Sequence, residues 1–299
     1  MTVEHHHSTQ SLSGPALDEH SFQRIVKFAY ETAGLSISSS KTAMVRTRLA
    51  RRLRDLNFNS FCDYCDYFLS SGGTHERSEL ISALTTNVSH FFREQHHFDI
   101  LAREVIPSLM QSDSSQKPIR FWSAGCSNGQ EPLSLAITLQ ESGLASWAQD
   151  LKILATDIDP RVIRFAQASE YSERMMDGVP HHLAEKYFSQ VSQNMNHDLV
   201  WKSKRTILDL ISYRRLNLLE RWPMKGKFDV IFCRNVVIYF DQKTQDILWE
   251  KFANALRPGG WLFLGHSERI SDSYQNKFST FGTTAYRLQN EMHPLKRQN

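Results

Sequence analysis

The residues of this chain whose types could do chemistry stand in short polar groups, each following an apolar, strand-like run. The first is Gly125-Cys126-Ser127-Asn128-Gly129-Gln130-Glu131, between IRFWSA and PLSLAITLQESG. Its two glycines, four positions apart, would let a backbone pass close to a ligand without interference from Cβ. It lacks both the Gly-Lys-Ser/Thr ending of a phosphate loop and the G-x-G-x-x-G of a dinucleotide loop, so alone it fits an ordinary strand-to-helix turn equally well. The later groups are Asp157-Ile158-Asp159, Asn217, Arg234-Asn235 and His266-Ser267-Glu268. A carboxylate after the second strand suits a ribose diol, since it accepts two hydroxyl hydrogen bonds in fixed geometry. Asp157 is that candidate, 32 residues past Gly125, and Asp159 reads as a cap for a helix opening at Pro160.

From Pro118 onward, strand patterns alternate with helical ones: IRFWSA, LKILATDID, ISYRRLNLL, FDVIFCRN and WLFLGH, with two short runs around Phe278 and Tyr286. This alternation predicts an α/β domain, an open parallel sheet covered by helices on both faces. In such sheets ligands sit beyond the carboxyl ends of the strands, where the strand order reverses, and the polar groups above would converge there. The segment from Tyr171 to about Thr206 breaks the rhythm and reads as a helix followed by short strands, an appendage or packing filler. The first 85 or so residues read as helices alone. Phe22, Ile25, Val26 and Ala29 keep helical spacing before Gly34, and further helices are expected near 41–56, 59–70 and 75–85.

Hydrophobic residues make up 40% of the 299 and charged ones 22%, and no run approaches the ~18 consecutive apolar residues of a membrane span. The N-terminal stretch has no apolar signal-peptide core, which makes a cytoplasmic protein the expectation. Cys62 and Cys65 form a lone C-x-x-C without a second pair. Phe61, Cys62, Cys65, Phe68 and Leu69 fit one apolar helical stripe with the cysteines as core residues, so no metal site is expected. His5 to His7 read as a solvated tract. The formal net charge is only +3, yet KTAMVRTRLARRLR (41–54) holds six basic residues and no acid.

Taken in order, TTNVSHFFRE (85–94), FWSAGCSNGQEPLSLA, ATDID, LNLL (216–219), FDVIFCRNVVIYF (228–240) and LRPGGWLFLGHSE (256–268) closely resemble the CheR family of chemotaxis receptor glutamate O-methyltransferases. The resemblance covers nearly the whole chain. It implies a Rossmann-like class I S-adenosylmethionine-dependent methyltransferase domain over 86–290 with an inserted β-subdomain (171–210), a small all-helical N-terminal domain (18–85) for substrate docking, a disordered tail over 1–17 and a C-terminal tail over 291–299. It also implies S-adenosylmethionine as cofactor and S-adenosylhomocysteine as product. Carried over residue by residue, the family pattern puts Asn87, Ser89, Arg93, Glu131, Asp157, Asn217, Leu218, Arg234 and Asn235 at the cofactor, with Tyr239 near the transferred methyl and Arg93 and Tyr239 as the catalytic pair. Ser89 replaces the family's commoner threonine and keeps the hydroxyl.

A glutamate side chain, with a reference pKa near ~4.3, is already ionised at neutral pH, so its methylation needs no general base. Alignment of the carboxylate with the methyl carbon and exclusion of water are the useful contributions; Arg93 and Tyr239 are assigned to positioning. On a helical wheel Val45, Leu49, Leu53 and Leu56 form a buried stripe with Arg48, Arg51 and Arg52 beside it. The resemblance makes those arginines the surface that docks on the acidic cytoplasmic helical bundle of methyl-accepting receptors, recruiting a monomeric enzyme to membrane receptor arrays. In some members the insertion captures a receptor's C-terminal pentapeptide by strand addition. VSQNMNHDLVW lacks the glycine-containing turn of those members, so independence of the receptor tail is expected. Two other readings keep the cofactor: an RNA or small-molecule methyltransferase, or a non-catalytic S-adenosylmethionine sensor. Nucleic acid is not the expected partner, because the basic helix offers no stacking aromatic between Lys41 and Asn57.

Overall fold

The structure is a computed structural model and describes residues 14–85, 87–111, 115–193 and 199–289. The chain divides into two compact units, Met1–Thr86 and Asn87–Asn299. The triple histidine and the C-terminal tail lie outside the described residues.

The first unit is helical: α1 (Glu19–Ala33), α2 (Thr42–Asp55), α3 (Phe61–Leu69) and α4 (Thr74–Leu84). Asp18 caps α1 by accepting from Ser21 N, and Gly34 closes it with a left-handed φ of 68°, the conformation that glycine adopts without a Cβ penalty. Val45, Leu49 and Leu53 of α2 are fully buried, as the wheel predicts, whereas Leu56 is half-buried. The α3 stripe needs correction. Phe61, Tyr64, Cys65 and Phe68 are buried, but Cys62 is exposed and Leu69 is 43% exposed. The buried face is thus spaced 61, 64, 65, 68, an i, i+3, i+4, i+7 stripe, which leaves positions 62 and 69 outside it.

In the second unit α5 (Gln95–Ile100), a π-helical turn (Leu101–Val105) and α6 (Ile106–Gln111) lead into β1 (Ile119–Ala124), α7 (Gln130–Glu141), α8 (Leu144–Trp147), β2 (Leu151–Asp157) and α9 (Pro160–Ala168). Then follow β3 (Glu170–Ser172), α10 (His181–Tyr187), β4 (Phe188–Gln193), β5 (Leu199–Ser203), α11 (Arg205–Leu208), β6 (Ile211–Arg215), β7 (Phe228–Cys233), α12 (Gln242–Ala255), β8 (Leu256–Leu264), β9 (Phe278–Thr280) and β10 (Ala285–Leu288). The seven-stranded sheet runs β6-β2-β1-β7-β8-β10-β9. The first five strands in that order are parallel, and β10 and β9 are antiparallel additions. The sheet is therefore mixed, not wholly parallel. A connection as short as Phe281–Thr284 joins only antiparallel neighbours, since parallel ones need a crossover of a dozen or more residues. From β1 the chain winds outward to β2 and β6, then returns to the other side of β1 at β7. This reversal opens the crevice between the carboxyl ends of β1 and β7.

Apolar side chains cover both faces. Phe121, Ile153, Val230 and Phe263 belong to one cluster, and Trp122, Ile231, Leu262 and Leu264 to the other. The insertion forms a separate antiparallel sheet, β3-β5-β4. The glycine-poor turn on which the receptor-tail expectation rested falls at 194–198, outside the described residues.

Candidate functional site

The loop after β1 is shaped by the protein's own packing. Gly125 and Gly129 have φ of +87° and +86°, and a Cβ on Gly125 would collide with Val236, one on Gly129 with Ala166. Even Ser127 is left-handed, at φ 48°. Asp157, at the end of β2, holds this turn: Ser127 N donates to its Oδ2 at 2.9 Å and Asp159 N to its Oδ1 at 3.0 Å. With the Ile158 N–H also acting on it, the carboxylate has about four acceptor directions and three backbone donors, which leaves capacity for a further one. Asp159 caps α9, accepting from Arg161 N at 2.8 Å with Pro160 in the first turn. Asn87 reaches the same corner, its Nδ2 donating to Asp159 Oδ2 at 3.0 Å and its carbonyl accepting from Ser127 Oγ at 3.2 Å. Ser89 is half-buried two residues on.

Arg234, after β7, is buried to 2% side-chain exposure. Its guanidinium meets Glu131 Oε2 at 3.2 Å and Glu94 Oε2 at 3.4 Å, and it also donates to the Arg93 carbonyl. Ser123 Oγ donates to the other Glu131 oxygen at 2.7 Å. Burial pushes the Glu131 and Asp157 carboxyls up, against the pull of Arg234 on the first and of backbone N–H donors on the second. Arg93 itself is half-exposed, and its Nη1 donates to the Val88 carbonyl at 3.2 Å. Asn235 takes a left-handed φ of 59°. Glu268 secures that turn by accepting from the N–H groups of Gly265, Asn235, Val236 and Ile238 at 2.5 to 3.2 Å. Tyr239, half-buried, ends the short 3-10 turn Val237–Tyr239. Beyond β6, Asn217 Oδ1 accepts from Leu219 N at 3.1 Å and Leu218 is buried. Cys126 packs among Ala155, Ile163, Ala166 and Tyr213, with its thiol pushed well up by burial, so it is a core residue and not a nucleophile.

Sequence reasoning missed Glu94 and gave Glu268 no role. Glu94 is a hub. One oxygen accepts from His266 N at 3.1 Å, and the other faces Arg234 and, at 3.5 Å, His97 Nδ1. Burial and Arg234 hold His97 down at about 3, so it is neutral at physiological pH. Glu94, His96 and His97 turn ligand atoms toward one another within 4.8 Å, a spacing that suits a metal ion, but the Arg234 guanidinium already supplies the positive charge beside that carboxylate. The signal in the sequence was the acid-histidine cluster E-Q-H-H.

The three α2 arginines expected to dock, Arg48, Arg51 and Arg52, differ in placement. Arg52 is 19% exposed and donates through Nε and Nη2 to the two oxygens of Glu76, itself 2% exposed, at 2.9 and 2.5 Å. Arg48 Nη1 donates to the Leu84 carbonyl at 2.5 Å. Arg51 stands 82% exposed, 3.7 Å from Asp55. The expectation of three arginines on one open face is corrected: Arg52 is drawn inward because Glu76 is buried and requires a cation.

A parallel sheet whose strand ends present a tight glycine turn, an acid after β2 and an asparagine-leucine pair after β6 is the frame of a class I S-adenosylmethionine-dependent methyltransferase. The donor set fits that cofactor: Asp157 has acceptor capacity for a ribose diol, and Leu218 offers an apolar side chain to a flat heterocycle, beside an Asn217 whose Oδ1 and Nδ2 hold the turn through Leu219 N and Glu220 Oε1. Comparison with known proteins is direct. Residues 87–287 match the family model described as the CheR methyltransferase SAM-binding domain, and residues 20–85 match its all-alpha domain. The chain belongs to the CheR methyltransferase family. It is 42% identical over 258 residues to a probable chemotaxis protein methyltransferase of Rhizobium etli, covering 86% of this chain and 96% of that one. It is 40% identical over 251 residues to chemotaxis protein methyltransferase 2 of Pseudomonas aeruginosa (83% and 86% covered). It is 35% identical over 274 residues to the Escherichia coli chemotaxis protein methyltransferase (91% and 92% covered). The protein is a methyltransferase with S-adenosylmethionine as cofactor, and no helix among the described residues is long and apolar enough to cross a membrane.

Proposed function

We propose that this enzyme methylates glutamate side chains on the cytoplasmic helical bundle of membrane-bound methyl-accepting chemotaxis receptors, yielding glutamate methyl esters and S-adenosylhomocysteine in adaptation. The observation that carries this reading is Arg93. It sits in the segment that also supplies Asn87 and Ser89, yet its guanidinium donates to a backbone carbonyl while the neighbouring Arg234 takes the buried carboxylates. Arg93 thus retains donors for the carboxylate of a substrate.

S-adenosylmethionine, when bound, supplies an electrophilic methyl group on a sulfonium. Asp157, Glu131, Asn217, Leu218, Arg234 and Asn235 hold and frame it, with Asn87 and Ser89 closing the corner beside the Ser127 turn. Arg93 and Tyr239 orient the incoming glutamate, which attacks as the carboxylate it already is at neutral pH, so no proton has to be moved. A cation that only orients is preferable to one that grips, because the carboxylate loses charge on the way to the transition state. On the helical unit, Arg51 is the most open of Arg48, Arg51 and Arg52. With Arg48 at its side it forms the surface that meets the receptor's acidic bundle and brings the enzyme, from the cytoplasmic side, to receptor arrays.

The test is the chemistry of the product. Label transferred from methyl-labelled S-adenosylmethionine to receptor-enriched membranes should be released as methanol by mild base, as an ester is. Base-stable label would place the methyl on nitrogen or sulfur and overturn the assignment.

A further inference from the structure

The loop that joins β6 to β7 carries Asn217 and Leu218, and its first half is fastened from two sides. At its start Leu216 N donates to the Asp157 carbonyl at 2.9 Å. A few residues on, a side chain from α12 does the fastening. Lys251 Nζ donates to the Leu218 carbonyl at 2.5 Å and to the Glu220 carbonyl at 2.6 Å, and it lies 4.5 Å from the centre of the Trp222 ring. Trp222 closes the same knot, its Nε1 donating to the Leu218 carbonyl at 3.0 Å. The indole is wedged edge-on against Trp122 of β1 at 4.7 Å and beside Phe252 of α12 at 5.3 Å.

We propose that Lys251 is a positioning residue for the adenine end of S-adenosylmethionine, fixing through the Leu218 carbonyl the backbone that presents Asn217 and Leu218. The proposal rests on the assignment of those two residues to the cofactor. A lysine ammonium has three donors and ordinarily stays in water. Here it is half-buried, with two donors directed at two carbonyls of one turn. Burial pushes its pKa down to about 8, a cost that a merely solvated lysine would not carry. Without it the Glu220 carbonyl loses this donor and the Leu218 carbonyl keeps only Trp222. The loop then has to be ordered when the cofactor arrives, and that ordering is subtracted from affinity. Lys251 reaches a loop behind the binding residues and not the reacting atoms, so turnover at saturating cofactor is unaffected.

The experiment is calorimetric titration of the whole protein with S-adenosylhomocysteine, alongside steady-state kinetics, for wild type, Lys251→Met, Lys251→Gln, Lys251→Arg, Trp222→Phe and Asn217→Ala. Lys251→Met should weaken binding about tenfold, as expected for one or two lost hydrogen bonds. It should raise KM for S-adenosylmethionine by the same factor and leave kcat unchanged. Lys251→Arg, which restores donors to both carbonyls, should recover most of the loss. Wild-type affinity in Lys251→Met, or a fall in kcat as large as the rise in KM, overturns the proposal. Trp222→Phe leaves Lys251 in place and should weaken binding less than Lys251→Met. Should Lys251→Met fail to fold by circular dichroism, Lys251→Gln decides: its shorter side chain cannot hold both carbonyls, and unchanged affinity overturns the proposal. Failure of the underlying assignment is distinguishable, because Asn217→Ala would then bind like wild type.

Discussion

Each of the two units holds an arginine drawn onto an inward-facing carboxylate and a neighbouring motif arginine that keeps access to solvent. In the helical unit Arg52 lies against Glu76, which also accepts from Tyr64 Oη at 2.8 Å, while Arg51 is 82% exposed. In the sheet unit Arg234 is buried between Glu131 and Glu94, while Arg93 is half-exposed. A buried cation costs several kcal/mol in lost hydration unless a carboxylate meets it, so Arg52 and Arg234 serve as internal struts. Arg51 and Arg93 are left to act on something else. All four sit in motif-like sequence, and what separates strut from tool is whether a buried acid faces the side chain.

The largest break in that contrast should come from Arg234→Met, which strands Glu131 and Glu94. Urea denaturation should show a loss of roughly 3–5 kcal/mol, and a loss below about 1 kcal/mol would show that the arginine is no strut. Arg93→Ala should do the reverse. Stability is expected to stay within about 0.5 kcal/mol of wild type while methyl transfer falls by roughly 10²–10³-fold, measured as kcat/KM on receptor membranes. For Arg52→Met, whose side chain is partly in water, a smaller loss of about 2–3 kcal/mol is expected. Acidification sharpens the contrast at Asp157. Its carboxyl is raised by burial, and the diol-accepting carboxylate is the form lost as pH falls through that raised value. Cofactor affinity should therefore decline at a higher pH than an exposed aspartate would dictate; binding that holds until the ordinary carboxylate range contradicts this. The smallest effect belongs to Arg51→Ala, with unchanged stability and a two- to threefold rise in KM for receptor, of the order of one surface ion pair, that fades as salt is added.

Much of the frame around the candidate site could be read from the chain because it depends on local rules. Asp159 ahead of Pro160 is a helix start in any context, and a polar residue after each apolar run marks the carboxyl ends of a parallel sheet. The buried stripe of α2 follows from spacing alone. What stayed hidden depends on partners distant in sequence. Nothing near Arg52 reveals that Glu76, 24 residues on, lies buried against it, and nothing near Arg234 reveals Glu94. Cys62 and Leu69 look apolar enough for the core, but the α3 face is set by which residues meet α1 and α4. Lys251 was silent for the same reason, as its acceptors are backbone carbonyls that carry no side-chain signature.

One measurement tests the central claim most directly: methyl transfer from labelled S-adenosylmethionine to receptor-enriched membranes by wild type and Arg93→Ala, with cofactor affinity of both measured by calorimetry and the label tested for release by base. The expected result is base-labile label on the receptor from wild type, with transfer largely lost in Arg93→Ala although the variant remains folded. Wild-type protein that binds the cofactor but leaves the receptor unlabelled, or Arg93→Ala that labels it at the wild-type rate, would contradict the reading of this site as a receptor glutamate methyltransferase oriented by Arg93.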